Sequence, residues 1–577
     1  MAAVTPYEKG GLCQLPDDIL FEIIHKHSLS PTDLYCLATL SHRLQHIALP
    51  TYLRIHGHSH PQTQSTIHLE SISHSKLLPL HFPALDVLSG LAIMTNLTSI
   101  DHLKCSLPVA NYEFQTPSKH KISQLLRVLH RLDSIVTVDI EFRAIISHKN
   151  ISRISDEKLQ AWTTQVSTLL NRVVEKGCIR LTVCGTVMRD AYDFRIKDRQ
   201  YYGKPLVLLA QSLRRSSSFN ASSTCLQGSN WKYSRPRSTG YSGKIEMQPS
   251  SVALNTCQLR FLAIHSDLFL EPPQLNWTVS LLRHCTTITS ISFGFISMGS
   301  RRWKAMLLCI ADALSGRLIA VSFLDCWGLM FSDLLEFLSR MPRLVRLEVP
   351  STHTFWVPKD WEPEGLQAVR LVVPKLPRLE ELVAPFIIVN SLLQSSRFSP
   401  FKSPAMPNLR RWMIHFEPRI FDSNEYVNAC TSKHSTFVES LRSRKRVNVD
   451  LEFCVCITGR QTYGALATDY SLLVEAIRNK TVPAFKFVTY VVLENTPGSE
   501  TSDHIFTMVG LMFPHLRELK VLQPSLTSVT IEEALSDLRG ACARLEQVVS
   551  NEHAFVLPID GSPIIKRSLN STSPSSQ

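Results

Sequence analysis

Between residues 259 and 414 the chain returns six times to one arrangement: an apolar residue, two variable positions, an apolar residue, one variable position, an apolar residue. The copies are Leu259-x-x-Leu262-x-Ile264, Ile288-x-x-Ile291-x-Phe293, Leu318-x-x-Val321-x-Phe323, Leu344-x-x-Leu347-x-Val349, Leu379-x-x-Leu382-x-Ala384 and Leu409-x-x-Trp412-x-Ile414. Their starts lie 26 to 35 residues apart, and a further copy stands at Leu516-x-x-Leu519-x-Val521. The last two apolar positions of each copy are two residues apart, the spacing of one face of a strand. Pro342, Pro377 and Pro407 open three of the copies. Between copies the period changes. Trp303, Met306, Leu307, Ile310 and Leu314 fall on one face of a helix, and Ser332 is placed to cap another carrying Leu335 and Leu338. Residues 95–210 predict earlier, more divergent copies, with Leu132–Phe142 and Ile179–Val183 as strands. Residues 214–250 break the pattern; rich in Ser, Gly and Pro, they read as a disordered surface insertion. The polar stretch 562–577 reads as an unordered tail, as do residues 1–11.

Residues 12–54 follow another rhythm. Pro16 starts a helix, with Asp17 and Asp18 in the first turn where negative charge complements the dipole. Ile19, Leu20, Ile23 and Ile24 form its apolar stripe. Ser30 is a good N-cap for a second helix, Pro31 takes the first helical position and Asp33 sits where a capping box needs it; Leu34, Leu37 and Ala38 supply the buried face. Ser41 caps a third, carrying Leu44, Ile47 and Ala48 and closed by Leu49-Pro50. So small a unit cannot use all of this apolar surface in mutual packing. Part of it is expected to dock elsewhere.

These residues carry a family resemblance. The order Leu15-Pro16-x-Asp18-Ile19-Leu20-x-x-Ile23, then Leu29, Asp33-Leu34-x-x-Leu37-x-x-Leu40-Ser41, then Leu44 and Ile47-Ala48, resembles an F-box, in particular those of large fungal families. Asp18 stands where F-boxes usually carry Glu. The strand-plus-helix repeat is in turn similar to a leucine-rich repeat. The position that usually holds Asn or Cys in such repeats reads Asp267, Ile296, Cys326, Thr352 and Ile387, so among these the copy at Leu318 alone follows the whole pattern. The competing reading is an ordinary α/β domain with buried strands. The expected fold is therefore α/β: a small N-terminal three-helix F-box over 12–54, a linker and first helices over 55–94, and an irregular leucine-rich-repeat-like solenoid of strand–helix units over 95–561.

The resemblance implies adaptor binding. F-boxes dock on the Skp-type adaptor of cullin-based ubiquitin ligases while the remainder of the chain recruits a protein substrate. By position the docking residues are Leu15, Pro16, Ile19, Leu20 and Ile23, with Leu34 and Leu37 from the second helix. Leu40 and Leu44 go to internal packing. The implied protein is a non-catalytic receptor with no cofactor, its chemistry supplied by the complex. A repeat scaffold whose F-box works outside a ligase stays open as the alternative.

Composition bears on the other classes. Hydrophobic residues make up 44% of the 577 and charged residues 19%, enough to bury a large core. No apolar run is long enough for a membrane-spanning helix and no signal peptide is evident, so a cytoplasmic or nuclear protein is expected. Fourteen scattered cysteines without a CxxC pair fit a reducing compartment. The net charge of +12 is spread along the chain; its denser spots, Trp231–Arg237 and Arg442–Arg446, read as solvated loops rather than a nucleic-acid surface. Arg214-Arg215-Ser216-Ser217 makes Ser217 a candidate phosphosite. Phosphate-loop, HExxH, GxSxG and kinase signatures are missing. His56, His58 and His60 would share one face of a strand, but no carboxylate or Cys joins them at ligand spacing, so a polar linker is expected and no metal.

Overall fold

The computed structural model describes residues 15–26, 29–68, 87–108, 116–143, 156–185, 195–197, 232–234, 247–270, 274–314, 316–350, 375–384, 406–416, 452–458, 488–494, 502–522, 538–550, 553–558 and 563–568, with single positions between 474 and 535. The chain divides into two compact units, Met1–Ile288 and Thr289–Gln577.

The first unit opens with three helices, α1 (Asp17–Lys26), α2 (Pro31–Leu40) and α3 (His42–Ile55). Their starts follow from side chains that satisfy otherwise unpaired N–H groups. Ser30 Oγ accepts from the Asp33 N–H at 3.2 Å and donates to the Asp33 carboxylate at 2.6 Å. Ser41 Oγ accepts from the Leu44 N–H at 3.2 Å. α1 and α2 both pack on α3, through Leu20, Ile24, Leu34, Ala38, Leu44, Ile47 and Ala48, all buried. Arg43 of α3 ties down the start of α1, donating to Asp17 at 2.7 Å and to the Leu15 carbonyl.

Next come β1 (Gln64–His68), α4 (Val87–Ile93), β2 (Ser99–Pro108), α5 (Thr116–Arg131), β3 (Ser134–Arg143), α6 (Asp156–Glu175) and β4 (Arg180–Gly185). A small antiparallel pair, β5 (Arg195–Lys197) and β6 (Lys232–Ser234), precedes α7 (Ser251–Thr256), β7 (Phe261–His265) and α8 (Leu275–His284). β1, β2, β3, β4 and β7 pair in that order, all parallel. The register aligns Leu103, Val138, Leu181 and Leu262 across four strands, and all four are buried. α4 lies against α3 so closely that a Cβ on Gly90 would sit 2.8 Å from the Tyr52 ring.

The second unit repeats the scheme with β8 (Ser290–Gly294), α9 (Ser300–Leu314), β9 (Ala320–Leu324), α10 (Phe331–Ser339), β10 (Arg346–Glu348), β11 (Glu381–Val383), β12 (Arg411–Phe416), β13 (Glu452–Thr458), β14 (Val488–Glu494), α11 (Ser502–Met512), β15 (Glu518–Leu522) and β16 (Gln547–Val549). Each strand pairs parallel with the next in the chain. The middle apolar position of successive copies forms one row, Ile291, Val321, Leu347, Leu382, Trp412 and Phe453, buried throughout. Aromatic rings lock the layers. Phe293 stacks on Phe323 at 5.3 Å, and Trp303 and Phe337 meet that pair edge-on. Each unit is thus mixed α/β on a parallel-rich sheet whose strand order follows the chain, in keeping with an α/β solenoid.

Four expectations are corrected. α3 does not close at Leu49-Pro50 but runs through Pro50 to Ile55, because Thr51, Tyr52 and Leu53 are buried and outweigh the lost hydrogen bond. Gly57 at φ 82° then ends it: the Gly57 N–H reaches the Arg54 carbonyl and the His58 N–H the Leu53 carbonyl. His56 and His58 therefore close a helix rather than line a strand face. α10 starts after Met330 without a side-chain cap, with Ser332 inside it; burial of Phe331 sets the start two residues earlier. Part of the expected tail forms β18 (Ile565–Ser568), antiparallel to β17 (His553–Val556), which itself runs antiparallel to β16. Within the stretch read as an insertion, Lys232–Ser234 form β6 and Met247 is buried; residues 214–231 and 235–246, with Ser217, lie outside the described residues, as do residues 569–577.

Candidate functional site

Docking needs apolar surface that its own unit does not consume, and the N-terminal helices provide it. A helix of two or three turns buries a stripe about 100° wide. In α1 that stripe is Leu20 and Ile24, one turn apart. Ile19 and Phe21 sit on either side of it, 39% and 44% exposed. In α2 the stripe is Leu34 and Ala38, leaving Leu40 67% exposed. Of the seven residues expected to dock, Pro16 and Ile19 are exposed, Leu15, Ile23 and Leu37 are half-buried, and Leu20 and Leu34 belong to the internal core. Leu40, assigned to internal packing from sequence, faces outward, whereas Leu44 is buried as expected. Phe21 was missed as well. Counting helix phase from the buried pairs, rather than from every apolar residue, would have found both.

A second surface comes from strand alternation: residues between the buried ones face the other side of each sheet. In the first unit this side is polar and internally paired. His102 Nε2 and Asp139 Oδ2 lie 2.8 Å apart, Ser106 donates to Glu141 at 3.2 Å, and the Arg180 guanidinium covers the Phe261 ring at 4.2 Å. Burial lowers the pKa of His265; Asp139 opposes that shift and Arg180 adds to it. The Ser106 hydroxyl gives its proton to a carboxylate rather than to His102, so serine and imidazole are not coupled as nucleophile and base.

In the second unit the same side carries charges of alternating sign in register, Arg346, Glu381, Arg411 and Glu452. Arg411 reaches Glu452 at 3.1 Å, and Arg346 lies 3.7 Å from Glu381. Tyr490 follows across the next strand pair, 5.7 Å from Arg411; burial, with Glu518 beside it, pushes its hydroxyl up to about 12. At the carboxyl ends of β8 and β9 stand Phe295 and Trp327, 60% and 57% exposed. Phe295 and Asp325 hold φ of 54° and 50°, a region costly for side chains with a Cβ. Backbone bonds hold the turn: Trp327 N–H to Ile296 O at 2.7 Å and Met298 N–H to Trp327 O at 3.2 Å. Gly328 is required beside them, since a Cβ there would strike the Met298 carbonyl. Cys326, the residue that matched the repeat pattern, is buried with its thiol against the Phe293 and Leu324 carbonyls.

On the helical side, a cleft of about 390 Å³ is lined by Leu126, Arg127, His130, Arg131, Thr168 and Arg172. Its cations are partly used by the fold, Arg131 donating to the Leu91 carbonyl at 2.7 Å and Arg172 pairing with Glu175 at 3.0 Å. Among the described residues no group of three or more His, Cys, Asp or Glu could hold a metal ion, and no helix is long and apolar enough to cross a membrane. No protein-family model and no curated protein matches this chain.

Proposed function

We propose that this chain is a non-catalytic substrate receptor of a cullin-based ubiquitin ligase, with residues 12–54 acting as an F-box on a Skp-type adaptor and the leucine-rich-repeat-like array holding a protein substrate. One observation carries the reading. A three-helix unit with a closed core of its own still presents Pro16, Ile19, Phe21 and Leu40 outward, on the helices whose Leu-Pro opening and Leu40-Ser41 junction resemble the F-box pattern. Packing of α3 on α4 supports it further, because an adaptor held on α1 and α2 would be fixed relative to the first strands. The array then contributes position rather than chemistry, holding substrate lysines near a ubiquitin-charged enzyme. Rows of paired charge and the exposed Phe295 and Trp327 suit a protein partner, since aromatic anchors dominate such interfaces.

The test is co-purification from cells with a tagged full-length chain. Each large apolar side chain buried at an interface contributes about 1.5–3 kcal/mol, so Pro16→Ala with Ile19→Ala is expected to weaken adaptor recovery about 100-fold or more without changing the melting temperature. Undiminished recovery by that double variant would sink the adaptor reading. Recovery of the adaptor without a cullin would favour a scaffold working outside a ligase.

A further inference from the structure

Away from the surfaces described above, two free thiols meet at the ends of neighbouring helices in the first unit. Cys257 is the C-cap of α7 and Cys285 the C-cap of α8. Both are reduced; Cys257 is partly exposed and Cys285 buried. The turns that carry them are in direct register, because Thr287 donates its hydroxyl to the Leu259 carbonyl at 2.7 Å. A disulfide spans a Cα separation of roughly 4.4–6.8 Å, of the order of the 4.8 Å between neighbouring strands. Cys285 is also the neighbour that acts most strongly on the Cys257 thiol, favouring its thiolate.

We propose that Cys257 and Cys285 are a peroxide-sensitive thiol pair, Cys257 reacting first and Cys285 resolving it to a disulfide. Exposure and polarity assign the order. Cys257 is flanked by exposed Asn255, Thr256 and Gln258, so an oxidant reaches it, whereas Cys285 is enclosed. Several donors favour the Cys257 thiolate. The Cys285 thiol contributes most, burial opposes it, the backbone at Leu259 and the Thr287 hydroxyl add to it, and the pKa falls to about 7. Thr287 has one proton, and its 2.7 Å bond to the Leu259 carbonyl claims it; Cys285 and the backbone are therefore the effective donors. Cys178, a thiol of the preceding turn, is a built-in contrast. It is buried, its thiol rests against the Arg180 carbonyl at 3.1 Å, and burial pushes it up to about 12.

The chemistry balances with a hydroperoxide as oxidant. The Cys257 thiolate, its proton lost to solvent, attacks the distal oxygen; the O–O bond breaks and the alcohol or water leaves with a proton. Cys257 is now a sulfenic acid. Cys285 sulfur, giving up its proton, attacks the Cys257 sulfur; the S–S bond forms, the S–O bond breaks, and water leaves. Two thiols are oxidised by one peroxide.

The experiment uses the full-length protein, hydrogen peroxide at a few equivalents, alkylation of the remaining thiols, and peptide mass spectrometry before and after reduction. The expected product is a single reducible cross-link between the peptides carrying Cys257 and Cys285, with Cys178 still alkylated after denaturation. In Cys285→Ser, Cys257 is expected to accumulate as a sulfenic acid trapped by a cyclic diketone, and no cross-link forms. Without oxidant, the alkylation rate of Cys257 is expected to rise through a midpoint near pH 7, shifting toward the ordinary thiol value of about 8.5 in Cys285→Ser. Because the wild-type cross-link needs no variant, misfolding of a mutant leaves the test intact. Peroxide that consumes exposed Cys36 and leaves Cys257 and Cys285 as free thiols overturns the proposal, and so does a Cys257 cross-link to any other cysteine.

Discussion

Leu347 and Arg346 are neighbours on β10 with opposite surroundings. Leu347 lies in register between Val321 and Leu382 and is fully buried, while Arg346 faces the charged row with Glu381. Replacing Leu347 by Ala removes its transfer energy and leaves a cavity between two adjacent strands, at an expected cost of about 2–5 kcal/mol. Arg346→Ala breaks ion pairs of 3.7 Å at an exposed site and is expected to change stability by no more than about 0.5 kcal/mol. Denaturant unfolding of the two variants measures the difference directly. Equal losses would contradict the alternation on which the outer face depends. That alternation was legible in the sequence, since the pattern names the inward residues and leaves the outward ones by default. Which outward residues gather into a surface was not legible: Phe295 and Trp327 are separated by one turn of the array, and it is the backbone pairing of residues 296–298 with Trp327 that brings their segments together.

At the scale of elements, caps and repeats were readable where one residue type does one job. Ser30 and Ser41 cap helices because a hydroxyl before the first turn has few other uses there. Copies of the repeat were missed where an apolar position is filled by something else. Leu545-x-x-Val548 leads into β16 with Ser550 in the last place, whereas the strand expected over Ile179–Val183 is found as β4, with Cys178 in the first apolar place of its copy. β1, with the sequence QSTIH, has one large apolar residue and owes its strand to pairing with β2. Pro50 misleads in the opposite direction, since it reads as a stop but lies exposed inside α3. A proline inside a helix costs about 3 kcal/mol relative to alanine when nothing compensates. Pro50→Ala restores the N–H and is expected to raise the melting temperature of the protein, read by calorimetry. A fall instead would mean that the ring itself contributes packing to the junction of α3 with its neighbours.

For the molecule as a whole, the governing feature is that within each unit the parallel strands pair in chain order. Such a sheet has an edge, and an edge invites further pairing. In the second unit that edge is turned by β17 and β18, which run antiparallel and set Lys566 and Arg567 on the outermost strand. Truncation after Pro558 removes β18 and uncovers β17. The expected result is concentration-dependent self-association in light scattering, with little change in the melting temperature, because, among the described residues of the piece removed, 563–567 are exposed. Chain-ordered pairing also decides how the second unit answers mechanical load. Since, among the described residues, each parallel strand pairs with its two neighbours, tension on the ends does not have to break the whole unit at once. It frees one turn, relaxes, and meets the next. With starts mostly 26 to 35 residues apart and about 3.5 Å of contour per residue, the chain lengthens in a staircase of steps near 100 Å. A protein wired in this way yields to a pulling machine as a sequence of small events.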